Sequence, residues 1–218
     1  PLYDTKRKDY YWNEHVRPEI NAFELFKYDE KKAEEFLKLG FGIVVTHNQD
    51  GIARGTGSLV ALNNTNTSKM INTTITNHFG FTRSSGSVQS YPNSLMGMMA
   101  LLRQMYYDLD WYKKGNSETT DLSLEALAKN EKLIQIFASE DKLNSLRASK
   151  IANEFGINYV IKGFGNEFER IEEIKKTNAK FIIPINFPEA YDVSNIFQAN
   201  QMELNDLRYW NQAPTNPK

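Results

Sequence analysis

Cysteine is absent from this chain. That excludes disulfides, thiolate zinc sites and cysteine nucleophiles. It leaves the compartment open, because exported and cytosolic proteins can both lack cysteine. Charge of one sign is also missing. The formal net charge is −1, so no bulk field draws the chain to nucleic acid or to an anionic membrane. Aromatic and basic residues are not interleaved as a nucleic-acid face requires. No apolar run reaches about 18 residues, so no membrane span is expected. The histidines are few and far apart, at His15, His47 and His78, with no His-x-His pair. Their spacing lends no support to a metal site. There is no phosphate-binding Gly-x-x-x-x-Gly-Lys-Ser/Thr loop and no Gly-x-Ser-x-Gly elbow. Lys162-Gly-Phe-Gly-Asn166 carries two glycines without the dinucleotide fingerprint. The chain opens at Pro1 with no initiator Met and no signal-like segment. It reads as a mature product or as part of something longer.

What is present is an α/β rhythm. The chain has 218 residues, 40% hydrophobic and 24% charged, enough for one large domain with a sizeable core. Three apolar, β-branched runs begin at Leu133, Ile157 and Lys180, and helical patterns separate them. That is βαβαβ, with parallel strands and crossover helices. In such folds chemistry gathers at the carboxyl ends of the strands. Those ends read Ala138-Ser139-Glu140, Lys162-Gly163-Phe164-Gly165 and Asn186-Phe187-Pro188.

Upstream the same logic continues. Residues 1–28 read as an extended arm, with Asp9-Tyr-Tyr-Trp-Asn13 as aromatic anchors and Pro18 holding Arg17 out of the helical region. His15 and Arg17 could reach a ligand, or the arm could simply lie on the surface. Asp29 caps a helix to Leu39, with Ala33, Phe36 and Leu37 as its stripe and Gly40 as its stop. Phe41 to Thr46 follows as a short buried strand. Polar and glycine residues then crowd its carboxyl end, in His47-Asn-Gln-Asp-Gly-Ile-Ala-Arg-Gly55. His47, Gln49, Asp50 and Arg54 can converge on one ligand there. The plainer alternative is an Asp50-Gly51 bend with Arg54 paired to Asp50. Residues 58–90 read as a hairpin-and-loop insertion, with strands at 58–62 and 70–76. A long helix is expected from Tyr91-Pro92 to Lys113, its methionines packed in the core, and a short one from Asp121 to Lys129. Further helices are expected from Asp141 to Phe155 and from Asn166 to Thr177. Lys162, just past a strand end, suits a base or an anion contact. It also suits an ion pair with Glu140, Glu167 or Glu169. Residues 189–218 form a polar, proline-bearing tail.

The block Phe41-Gly-Ile-Val-Val-Thr-His-Asn-Gln-Asp-Gly-Ile-Ala-Arg-Gly-Thr-Gly-Ser-Leu-Val60 resembles a segment of the imidazolonepropionase-like amidohydrolases. His15-Val-Arg-Pro-Glu19 is similar to the extended stretch before that helix. Tyr91-Pro-Asn-Ser-Leu95 with Leu101-Leu-Arg-Gln104 is similar to the family's long helix, and 134–188 to its later barrel units. The resemblance implies a (β/α)8 barrel and a metal-dependent hydrolase that cleaves C–N bonds with a metal-activated water. It implies a His-x-His and a final Asp outside residues 1–218. It also implies two intervening histidine positions, and these fall near Phe137-Ala138 and at Lys162, where no histidine stands.

The expectation is therefore a single α/β domain, a partial TIM-type barrel of parallel strands with crossover helices plus a small hairpin insertion. A complete barrel takes about 250 residues, and only four barrel-type strands can be placed, at 41–46, 133–137, 157–161 and 180–185. Missing barrel segments or a homo-oligomer partner would cover its exposed sheet edges. The parent would be an amidohydrolase-like hydrolase for a small-molecule substrate, with these residues inactive in isolation. The alternative is a non-catalytic binding or scaffold domain for a small polar ligand. The candidate ligand contacts are His47, Gln49, Asp50, Arg54, Lys162 and Asn186. No metal site is expected in this fragment, whereas a divalent ion such as zinc suits the full-length protein. The chain is expected to be soluble, with export of the parent one option.

Overall fold

The computed structural model describes residues 8–62 and 69–185, with residues 200, 203–204 and 208 beyond them. The chain forms two compact units, Pro1–Ala138 and Ser139–Lys218. Asn186 and the tail from 209 onward lie outside the described residues.

The first unit holds α1 (Ala22–Leu25), α2 (Glu30–Lys38), β1 (Ile43–Thr46), β2 (Ala53–Ala61), β3 (Met70–Gly80), α3 (Leu95–Lys113), α4 (Leu122–Asn130) and β4 (Ile134–Ala138). β1 pairs antiparallel with β2, and β2 antiparallel with β3. β3 pairs parallel with β4, from Thr76 opposite Ile134 to Gly80 opposite Ala138. The class is mixed α/β. The segment expected as a hairpin insertion thus supplies β2 and β3, and β3 lies between β2 and β4. Both strands also run longer than their composition suggests.

Local chemistry sets the helix ends. Asp29 accepts from the Lys32 amide at the start of α2, and Asp121 from those of Ser123 and Leu124 at the start of α4. These acceptors satisfy amides that the first turn leaves unpaired. α3 begins at Leu95 rather than Tyr91, because Ser94 is the capping residue and accepts from the Gly97 amide. Its buried face is Leu101, Leu102, Met105, Tyr106 and Leu109. Met96 is 80% exposed, so not every methionine is core. Tyr106 meets Phe79 of β3, and Phe81 meets Phe137 of β4 edge-on at 4.7 Å between centroids. Full burial of an aromatic or aliphatic side chain of this size stabilises by about 1.5–3 kcal/mol.

Two readings need correction. The strand at 41–46 is not buried. It is confined to Ile43–Thr46, and Ile43 and Val45 are exposed, because β1 is the outermost strand of this unit's sheet. The arm is not a surface feature either. Tyr11, Asn13, His15 and Val16 are buried. Residues 15–20 lie along the first half of β2: Arg17 donates to Ala53 O at 2.9 Å and Thr56 to Ile20 O at 2.9 Å. β2 is therefore flanked by the arm at 53–56 and by β1 at 58–61.

The second unit holds α5 (Lys142–Phe155), β5 (Tyr159–Lys162), a 3-10 turn (Glu167–Arg170), α6 (Ile171–Lys176) and β6 (Lys180–Ile182). β5 and β6 are parallel. Asp141 caps α5 through the Asn144 amide, and Gly156 ends it with φ of 67°. The buried face of α5 is small and partly polar: Asn144, Ser145, Ala148, Ser149, Ile151 and Ala152. The apolar pattern suggested Leu143, Leu146 and Phe155 beside Ile151, but Leu143 is exposed. The expected 166–177 helix divides into the 3-10 turn and α6, and Asn166 Oδ1 accepts from the Lys142 amide instead of capping its own segment. No described helix is long and apolar enough to cross a membrane.

Candidate functional site

Strand direction places the candidate residues. β2 is antiparallel to both β1 and β3, and β3 is parallel to β4. The carboxyl ends of β1, β3 and β4 therefore share one end of the first unit's sheet, with the amino end of β2. The loops at 47–52 and 81–94 open from that end.

Asp50 is held there by the second loop. Its Oδ2 accepts from Ser84 Oγ at 2.5 Å, and its Oδ1 from the Ser85 amide at 2.7 Å. Partial burial pushes its carboxyl up, but these hydrogen bonds, with the positive charge of Arg17, outweigh that and hold it below the usual range. Gly51 makes the bend, with φ of 95°. A Cβ there would lie 2.9 Å from His15 O.

Arg54 is a strand residue, not a loop residue, and it is 5% exposed. Its Nε donates to Gly51 O at 2.9 Å and its Nη2 to Thr82 Oγ1 at 3.1 Å. The guanidinium lies over Gly80, where a Cβ would fall 2.6 Å from Cζ. Next along the same face of β3, His78 Nε2 is 2.8 Å from Thr76 Oγ1. The His78 ring covers Gly57, and a Cβ at Gly57 would come 2.6 Å from its Nε2. His47 stacks on it, 3.7 Å between centroids and 5° between planes. Two glycines thus make room for an arginine and a histidine.

His15 joins three segments. Its backbone oxygen accepts from the Ile52 amide at 2.7 Å. Its Nδ1 accepts from the Ser84 amide at 2.8 Å, and its backbone amide donates to Asn13 Oδ1. The ring is fully buried, and Nε2 meets no hydrogen-bond partner among the described residues. Burial lowers its pKa, with Arg83 and Arg17 acting the same way and Glu14 and Asp50 opposing. Gln89 completes the network, accepting from the Glu14 amide and donating to Trp12 O.

The structure brings His47, Asp50 and Arg54 to this end of the first unit, while Gln49 is exposed. Lys162 belongs to the second unit and is exposed at the end of β5. Two of the acids expected to pair with it are engaged elsewhere. Glu169 pairs with Lys142, and Glu167 accepts from the amides of Phe164 and Gly165. Sequence reasoning left His78 without a partner and gave Ser84 and Thr76 no role. The signal that could have found them is the glycine pattern in 55–57 and at 80, since glycine within a strand marks close approach of a neighbour.

Among the described residues, no group of three His, Cys, Asp or Glu can hold a metal ion. Stacked imidazoles direct their lone pairs in parallel planes rather than toward a common point, and His15 has Nδ1 engaged and Nε2 enclosed.

No protein-family model matches the chain, and no curated protein matches it. Among solved structures, an amidohydrolase from Thermotoga maritima MSB8 superposes with a TM-score of 0.65 over 91% of this chain, at 16% identity. The fold is thus of the kind seen in an α/β amidohydrolase. The chain spans 56% of that structure's length.

Proposed function

We propose that these residues form part of an amidohydrolase-like, metal-dependent hydrolase acting on C–N bonds, of the imidazolonepropionase-like kind, on a partial (β/α)8 barrel. The observation that carries this reading is the fold likeness over 91% of the chain. Further strands would pair at the outer edges of β1 and β6. In this reading the 218 residues supply scaffold and strand-end loops, and the ion and its ligands belong to other segments of the parent. When bound, such an ion supplies an activated water. What this chain contributes is positional: Arg54, His47 and the Asp50 clasp fix the loops around the strand ends. The test is an amide and cyclic-imide hydrolysis panel with added zinc. It compares the isolated chain with a full-length parent. The expected result is turnover by the parent alone. Turnover by residues 1–218, or none by either, contradicts the proposal.

A further inference from the structure

His15, Ser84 and Asp50 form a chain of contacts between the arm, the 47–52 loop and the 81–94 loop. Asp50 holds Ser84 through its hydroxyl and Ser85 through its amide. His15 holds Ser84 through its amide. An imidazole nitrogen that accepts an N–H is unprotonated, so the ring carries its proton on Nε2. A second proton has only Nδ1 to go to. There it would set N–H against N–H at 2.8 Å and place a cation in a fully buried position. Both effects break the Ser84 contact.

We propose that His15 is the catch of an acid-released latch, in which protonation of its Nδ1 breaks its hold on the Ser84 amide and loosens the 81–94 loop locally at Ser84. The charged groups facing it are Glu14 and Arg17 on the arm, Asp50 on the 47–52 loop and Arg83 on the latched loop. Two are positive and two negative, so the surroundings supply no net anionic charge to welcome an imidazolium. The sign of the linkage follows. A histidine whose folded pKa is depressed binds its proton more readily in the open state. The latch is therefore closed above the ordinary histidine value and weakens as pH falls through it. Asp50, whose carboxyl is also held low, acts in the same direction at lower pH. The latch does not depend on the hydrolase reading, because it is read from backbone amides.

The experiment is native-state hydrogen exchange on the whole chain at pH 7.5 and 5.5, expressed as protection factors. With an open-state histidine value near 6.5, the Ser84 protection factor falls several-fold between the two, about tenfold at most. Leu102 in α3 stays within about twofold over the same interval, because the opening is local. His15→Gln keeps a side-chain acceptor for the Ser84 amide but cannot titrate, and it flattens the Ser84 profile. A wild-type Ser84 profile that does not change, one that falls equally in His15→Gln, or a parallel fall at Leu102 overturns the latch. Should the variant not fold, long-range imidazole nitrogen spectra of the wild-type chain decide. An unprotonated Nδ1 at pH 7.5 supports the latch, and a protonated one overturns it.

Discussion

Asp121 carries two opposing demands. It caps α4 by accepting from the Ser123 and Leu124 amides. Burial, together with Glu19 and Asp108, raises its pKa, while the capping amides lower it. The ionised form is thus useful as an acceptor and costly as a charge. Asp121→Ala is expected to lower stability by about 1 kcal/mol at pH 7, the usual cost of a lost cap. Asp121→Asn keeps the acceptor and removes the charge, so it should match or exceed wild type at pH 7. The sign is that of an acid with a raised folded pKa. Its ionisation cost is absent below the ordinary aspartate value and appears as pH rises through the folded one. The advantage of Asn should therefore vanish at acid pH. Urea denaturation at pH 7 and pH 3.5 checks both parts. Gly57 is a second single-residue test. A methyl group there meets His78 Nε2 and Thr76 Oγ1. Gly57→Ala should cost about 1–3 kcal/mol and remove the ring-current shifts of the His47–His78 stack. Retention of those shifts in the variant's proton spectrum would show that the rings do not depend on Gly57.

At the level of elements, α3 separates a packed face from an open one. Leu101, Leu102 and Met105 have no exposed surface, whereas Tyr107 is 62% exposed. Leu101→Ala is expected to cost about 2–5 kcal/mol, and Tyr107→Ala under about 0.5 kcal/mol. Equal losses in chemical denaturation would mean that the outer face is packed as well. The longer helices were legible in the sequence because their signals are local, whereas α1 lies in the segment read as an extended arm. Asp29, Asp121 and Asp141 sit where a cap is needed, and Gly40 and Gly156 stand just past the last turn. β4, β5 and β6 were legible from β-branched runs. The first half of β2 and the end of β3 were not. Ala53-Arg-Gly-Thr-Gly57 and Asn77-His-Phe-Gly80 have the composition of loops. They are strands because distant groups cover them: the Ile20 backbone over Gly55, the His78 ring over Gly57, and the Arg54 guanidinium over Gly80. No window of sequence contains those partners. The same holds for His15, whose distant anchors, Ile52 and Ser84, lie 37 and 69 residues along the chain.

In the molecule as a whole, the fold is of the kind seen in an α/β amidohydrolase, and the polar groups at the strand ends of the first unit hold loops together. Asp50, His15 and Gln89 each have side-chain acceptors or donors committed to backbone or serine partners. Groups so committed have little left to offer an ion. The measurement that tests this most directly is titration of the isolated chain with cobalt(II), followed by visible absorption and by metal content after gel filtration. The expected result is no ligand-field band beyond that of the free aquo ion and no retained metal. A new band at one equivalent, with cobalt retained in stoichiometric amount, would show that these residues build a metal centre of their own and would contradict it.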